Sequence, residues 1–168
     1  MNSIGFDFIA EADARVLILG TLPGTLSLEK GEYYAQPRNH FWRIMWEIYG
    51  NPATNSYPNR TAQLRKAGIA LWDVCASASR VGSLDVNIKD FVANDFAGFF
   101  SKHPQIELIC FNGAKAEKLY LRHVLPGLTS PASSIHQCRL PSTSPAHAVP
   151  LTQKLEKWRE ALTTSMPE

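Results

Sequence analysis

The chain has few cysteines, little excess charge and no long apolar run, and each shortage removes a class of protein. Its three cysteines, Cys75, Cys110 and Cys138, are too few and too widely spaced for a disulfide framework or for a zinc or iron–sulfur ligand set. Such usage suits a reducing compartment, and the expected location is the cytoplasm. Seventeen Lys and Arg against fifteen Asp and Glu leave a formal charge of +2, so charge permits nucleic-acid binding without demanding it. No apolar stretch approaches membrane-spanning length, so no membrane role is expected. The N-terminal stretch carries Asp7, Glu11 and Asp13 and lacks the cationic start and apolar run of a secretory signal. Ten Gly and eleven Pro are dispersed, so no segment reads as a linker or a low-complexity tract.

What is present is enough apolar material, 45% of 168 residues, to close one core and too short a chain for two. A single domain over 1–168 with a short flexible C-terminal end is expected, acting as a monomer. Residues 16–19 form a continuous apolar run that stops at Gly20, as a strand buried on both faces does. Phe41, Ile44, Met45 and Ile48 recur at helical spacing over 40–49, and Gly50, Asn51 and Pro52 end that pattern. A second helix is expected over 61–67, further strands over 69–74, 106–111 and 135–140, and helices over 114–121 and from Leu151 onward. The polar stretch 81–90 reads as a loop, followed by a helix carrying Phe91, Phe96, Phe99 and Phe100.

Strands alternating with helices imply a three-layer α/β/α sandwich around a mostly parallel sheet of about four strands. Ligands in such sheets bind outside the carboxyl ends of the strands. That rule points at the loop after Leu19, the residues after Val74, the turn at Asn112 and the loop after Leu140. Positive side chains recur near Arg38, His40 and Arg43, near Arg60, Arg65 and Lys66, and at Arg139 and His147. On one face they would hold phosphates.

Two of those loops are unusual. Gly20-Thr21-Leu22-Pro23-Gly24-Thr25-Leu26-Ser27 lets a ligand approach the backbone and offers hydroxyls. It lacks the Lys-Ser/Thr pair of a phosphate-binding loop and the three-glycine spacing of a dinucleotide fingerprint, and reads equally well as a plain turn. Leu140-Pro141-Ser142-Thr143-Ser144-Pro145-Ala146-His147 is too rich in turn formers to be regular, and serves at least as a rigid connection to the last helix. Between them, Tyr33-Tyr34-Ala35-Gln36-Pro37-Arg38-Asn39-His40-Phe41-Trp42 crowds aromatics, amides, Arg and His before a helix start. Asn39 suits a helix cap and Phe41 and Trp42 suit the core, whereas the tyrosine pair has no such plain reading.

In this order these motifs resemble the hypoxanthine-DNA glycosylase branch of the uracil-DNA glycosylase superfamily, and the segment 37–42 is also similar to mismatch-specific uracil-DNA glycosylases. The resemblance covers roughly residues 15–160. It implies a monofunctional glycosylase that flips a deaminated base out of double- or single-stranded DNA and hydrolyses its N-glycosidic bond, with no metal, cofactor or Schiff-base lysine.

The resemblance makes Asn39 the principal catalytic residue, contacting either the water or the base. Tyr34 becomes the platform on which the flipped base stacks, with Tyr33 the alternative. Gly20, Leu22, Pro23, Gly24, Asn112 and Ser142 are expected at the base, and Arg38, Thr143, Ser144, Pro145, Ala146 and His147 on the DNA. Asp73 is read as a cap or salt-bridge partner, or as a residue behind the pocket wall. Leu22 stands where the broader superfamily has an Asp or Asn that activates water, a lack shared with the hypoxanthine branch. The last motif likewise has Leu140 or Ser142 where uracil-specific members often have a histidine. The competing readings are a non-catalytic DNA-binding module of the same fold and a hydrolase of free nucleosides.

Overall fold

The computed structural model describes residues 2–51, 55–84 and 87–164, and the C-terminal end expected to be flexible lies outside them, as does Pro52. In chain order these residues form β1 (Asn2–Ile4), β2 (Val16–Gly20), α1 (Thr25–Lys30), α2 (Phe41–Tyr49), α3 (Tyr57–Lys66), β3 (Ile69–Asp73), β4 (Cys75–Ser79), β5 (Lys89–Ala93), α4 (Phe96–Lys102), β6 (Leu108–Asn112), α5 (Ala114–His123), β7 (His136–Leu140) and α6 (Leu151–Thr164).

β3, β2, β6 and β7 lie side by side in that order, and every pairing is parallel. All five residues of β2, of β3 and of β6 are buried, which is why those segments read as unbroken apolar runs instead of alternating ones. Alternation survives in which face each residue serves. Leu17, Leu19, Trp72 and Phe111 pack with Phe96 and Phe99 of α4 and Tyr120 of α5. Val16, Ile18, Leu71 and Cys110 pack with Phe41 and Ile44 of α2, Leu64 of α3 and Trp158 of α6. The sheet is therefore the middle of three layers, as expected. Chain order reverses at β2, whose neighbours are β3 and β6, and this switch point opens a crevice at the strands' carboxyl ends.

Three elements depart from the sequence expectation. A small antiparallel sheet, β1-β4-β5, flanks the main one. Lys89, Asp90 and Phe91, expected in a loop and a helix start, belong to β5. Residues 75–79 are small and weakly apolar, and 89–93 is largely exposed, so neither carries the alternation that marks a strand. The helix after β5 begins at Phe96, where the Asp95 side chain accepts from the Gly98 N–H. α3 starts at Tyr57, ahead of the expected Thr61, because Ser56 caps it and Pro58 occupies its first turn. Finally, the first glycine-bearing loop contains the single short helix α1.

Candidate active site

β2 ends at Gly20, in register with Asp73 at the end of β3. A Cβ on Gly20 would stand 2.6 Å from the Asp73 Oδ1 and 2.9 Å from the Tyr34 hydroxyl, so glycine is what lets these two groups share the floor of the crevice. The chain then runs through buried Thr21, Leu22 and Pro23. Arg80, 7% exposed, fixes this loop from behind. Its guanidinium donates to the carbonyls of Leu22 (3.5 Å), Gly82 (3.1 Å) and Pro23. Among the described residues, the loop carries no carboxylate that could activate water at position 22.

The two tyrosines divide their labour. Tyr34 is half-buried, sits in the left-handed region at φ 56°, and stacks on Phe41 with ring centres 4.2 Å apart and planes 21° apart. Its hydroxyl accepts from the Asn112 amide at 3.1 Å. Tyr33 is 3% exposed and serves as a strut. Its hydroxyl donates to the Asp7 carbonyl (2.8 Å), its N–H donates to the Tyr57 hydroxyl (3.0 Å), and its carbonyl accepts from the Trp42 indole (2.8 Å). Burial, then the nearby Asp73 charge, drives the Tyr33 hydroxyl far above its ordinary pKa. Tyr33 also lines the crevice, but far less of it is exposed than of half-buried Tyr34.

Asn39 lies just ahead of α2, whose N-cap is His40, and lines the crevice. Its Oδ1 accepts from the Phe41 N–H at 2.9 Å, which satisfies one of the helix's orphan donors. That commitment leaves the Nδ2 hydrogens at the crevice wall with no intramolecular acceptor among the described residues. Arg38 beside it is exposed, and its N–H donates to the Gln36 Oε1 at 3.0 Å.

The loop after β7 is held at nearly every peptide. Trp158 Nε1 donates to the Pro141 carbonyl (2.9 Å), the His40 N–H to the Thr143 carbonyl (2.9 Å) and Lys154 Nζ to the Ser144 carbonyl (3.1 Å). Asn112 closes the clamp, since its Oδ1 accepts from the Thr143 N–H (2.9 Å) and its Nδ2 from the other side donates to the Thr143 hydroxyl (3.0 Å). Two of the expected site residues are tied to each other by these contacts. Thr143 is 0% exposed, with its hydroxyl turned toward Asn112. Asn112 holds Thr143 and Tyr34 with its amide and also lines the crevice. Ser142, Ser144, Pro145, Ala146 and His147 do line the crevice, and Ala146 and His147 are exposed.

Lys154 is wholly enclosed, and burial lowers its ammonium pKa below the ordinary value. The His40 imidazole is held below its ordinary 6.5 by burial first and by Lys154 second. In the unfolded chain His40 takes up a proton more readily, so protons favour unfolding there and stability rises with pH. Stability should be full above about 6.5 and should fall as pH drops from that value through the lower folded one. Thermal unfolding followed from pH 8 down to about pH 5 should show this decline, and His40→Gln should flatten it.

Together the four strand ends enclose a cleft of about 760 Å³, bounded by the first loop, the segment 33–39, Asp73, Asn112 and the loop 142–147. Immediately after Val74 the chain enters β4, which does not line the cleft, so this strand end contributes through Asp73. Gln36, quoted in the second motif but given no role, also lines it, as do Ser83 and Leu84, which went unnoticed in the sequence. A lone leucine in a polar stretch was the available signal for Leu84. Among the described residues no group of His, Cys, Asp and Glu is arranged to hold a metal ion, and no helix is long and apolar enough to cross a membrane.

A parallel sheet in the order β3-β2-β6-β7, covered by helices on both faces and with a cleft at its carboxyl ends, defines a three-layer α/β/α class. The chain belongs to the uracil DNA glycosylase superfamily, whose family model matches residues 6–164, and it is a DNA glycosylase. It is 38% identical over 117 residues to a hypoxanthine DNA glycosylase of Methanosarcina barkeri, covering 69% of this chain and 74% of the relative. To a hypoxanthine DNA glycosylase of Methanosarcina acetivorans it is 41% identical over 113 residues, covering 67% and 72%. A solution NMR structure from Methanosarcina acetivorans, described as a candidate uracil DNA glycosylase, superposes with a TM-score of 0.82 at 33% identity over 98% of this chain and 99% of that one.

Proposed function

We propose that this chain releases hypoxanthine from DNA, flipping the deoxyinosine into the cleft and leaving an abasic site. The observation that carries this reading is the amide of Asn39, whose oxygen is held by the helix and whose nitrogen is left to donate. Cleavage passes through an oxocarbenium-like sugar and a departing anionic purine, so a fixed donor at the base stabilises the charge as it develops. The Asn39 NH₂ fills that role. The sugar cation is electrophilic enough to take up a water not activated by a first-loop carboxylate; that water passes a proton to solvent as its oxygen bonds the sugar carbon, and solvent returns one to the departed base.

Tyr34, backed by Phe41 and fixed by Asn112, offers the face on which the flipped base stacks. Asp73 suits a deaminated base in particular. Deamination converts the adenine N1 or cytosine N3 from an acceptor into an N–H donor, and a buried carboxylate accepts from the second and repels the first. The hypoxanthine name of the two Methanosarcina relatives supports the purine. Leu22, Pro23, Gly24 and Ser142 form the surrounding wall, with Gly20 behind Asp73 and Tyr34, and Arg38, Ser144, Pro145, Ala146 and His147 toward the DNA. The protein acts as a cytoplasmic monomer.

The test is side-by-side turnover on oligonucleotides carrying hypoxanthine, uracil or a G/T mismatch, with alkali cleavage of the abasic product. Fastest release from hypoxanthine is expected. Preference for uracil or thymine would replace the reading with a mismatch-specific pyrimidine glycosylase, which the resemblance over 37–42 favours as the second choice. Binding with no base released would leave a non-catalytic module.

A further inference from the structure

A lysine without a counter-charge lies under the loop 142–147. Lys154 is 0% exposed on the inner face of α6, and its Nζ donates to the Ser144 carbonyl at 3.1 Å. Among the described residues no carboxylate pairs with it. Burial is the one cause that lowers its pKa, the mark of an ammonium that has left water and met no anion. An enclosed cation without a partner costs stability. A strut alone needs no charge, since a neutral amide would hold the same carbonyl.

The place of the ammonium gives the charge a use. The His40 N–H donates to the Thr143 carbonyl at 2.9 Å and Lys154 takes the next carbonyl along, so the ammonium stands where the start of α2 meets the last loop. Asn39 and Ser144 line the cleft on the other side of that seam. The charge already reaches across it, being the second cause that holds the His40 imidazole below its ordinary pKa, and His40 follows Asn39 directly. The cleft needs such a charge. Two carboxylates line it, buried Asp73 and exposed Glu29, and both oppose a base that leaves as an anion. Arg38 is the one Arg or Lys among the lining residues, and it is exposed to screening by water.

We propose that the Lys154 ammonium is a fixed positive charge that stabilises the departing base anion from behind the wall formed by Asn39 and Ser144, a role that rests on the base-release reading above. Lys154 touches neither base nor sugar; it is a positioning residue whose charge acts together with its hydrogen bond. A charge that answers charge developing in the transition state changes the rate of bond breaking and leaves binding of the intact nucleotide as it was. A strut acts on both, since a displaced loop seats the DNA wrongly.

The experiment compares wild type with Lys154→Gln, which keeps a donor without the charge, and Lys154→Met, which keeps neither. Both should fold, because the Ser144 carbonyl retains the His147 N–H at 3.0 Å and an unpaired buried charge has been removed. Melting temperatures check this. Two quantities are then measured: the single-turnover rate of base release from a hypoxanthine duplex at saturating enzyme, and the dissociation constant for the same duplex carrying the non-cleavable 2′-fluoroarabino nucleotide. The rate should fall on the order of tenfold in both variants while the dissociation constant stays within about twofold. The deficit of Lys154→Gln should shrink on 2-fluorohypoxanthine, whose anion needs less help. A wild-type rate in Lys154→Gln assigns the residue to hydrogen bonding alone and overturns the proposal. So does a loss carried by the dissociation constant, or an equal deficit on the two bases. If wild type itself releases no base from hypoxanthine, uracil or G/T duplexes, the glycosylase reading fails and the proposal falls with it.

Discussion

Asn39→Asp should leave the start of α2 held as before while lowering hypoxanthine release by about 10²- to 10³-fold, the usual cost of losing one preorganised donor at a developing negative charge. The two functions of this side chain lie on different atoms. Oδ1 accepts the Phe41 N–H, and an aspartate oxygen does so equally well, since Asp and Asn rank together at helix N-termini. Nδ2 is the only donor the side chain has, and aspartate lacks it. Asn39→Ala removes both, and should lose as much activity together with about 1 kcal/mol of stability. Thermal unfolding and single-turnover kinetics on the two variants check this. Near-normal activity in Asn39→Asp would place the catalytic donor elsewhere.

Asn112→Ala should be the most destabilising single change in the site. It strips the Thr143 N–H and hydroxyl of partners inside a closed loop and releases the Tyr34 hydroxyl. Two buried polar groups left unmet cost about 2–4 kcal/mol together. For a chain of this size the melting temperature should drop by roughly 5–15 °C. Base release should fall with it, because the platform and the loop 142–147 lose a common anchor. Calorimetry beside the activity assay separates this from a base-reading role, in which activity would be lost with the melting temperature unchanged.

Both predictions concern how loops are held. The site is assembled from connections at four strand ends, and each connection is pinned from outside the cleft. Arg80 holds the first loop, Phe41 supports Tyr34, and Lys154, Trp158 and His40 hold the last loop. Such fixing places donors before the reaction begins, so the protein need not reorganise as charge develops.

The main sheet was legible in the sequence because β2, β3 and β6 are apolar at every position, as strands covered on both faces must be. α2 and α6 were legible from the spacing of Phe41, Ile44 and Met45 and of Leu151, Leu155, Trp158 and Leu162. The place of the cleft followed from topology, and its family from three motifs in order. The small sheet was not legible, since its strands are exposed or built of small residues and are stabilised by pairing with one another across long separations. Nor could adjacency in sequence tell Tyr33 from Tyr34. One ring turned into the core and the other toward the cleft because the backbone enters the left-handed region at Tyr34, a choice made by the packing of Phe6, Trp42 and Phe41 around them. Sequence by itself therefore determined the layers, the switch point and the residue types available for chemistry. Tertiary structure alone decided which atoms remained unspent after folding: it committed Asn112 and Thr143 to each other, left the Asn39 nitrogen to donate, and set Leu84 on the rim, because hydrogen-bond partners and exposure depend on distant segments that no local pattern encodes.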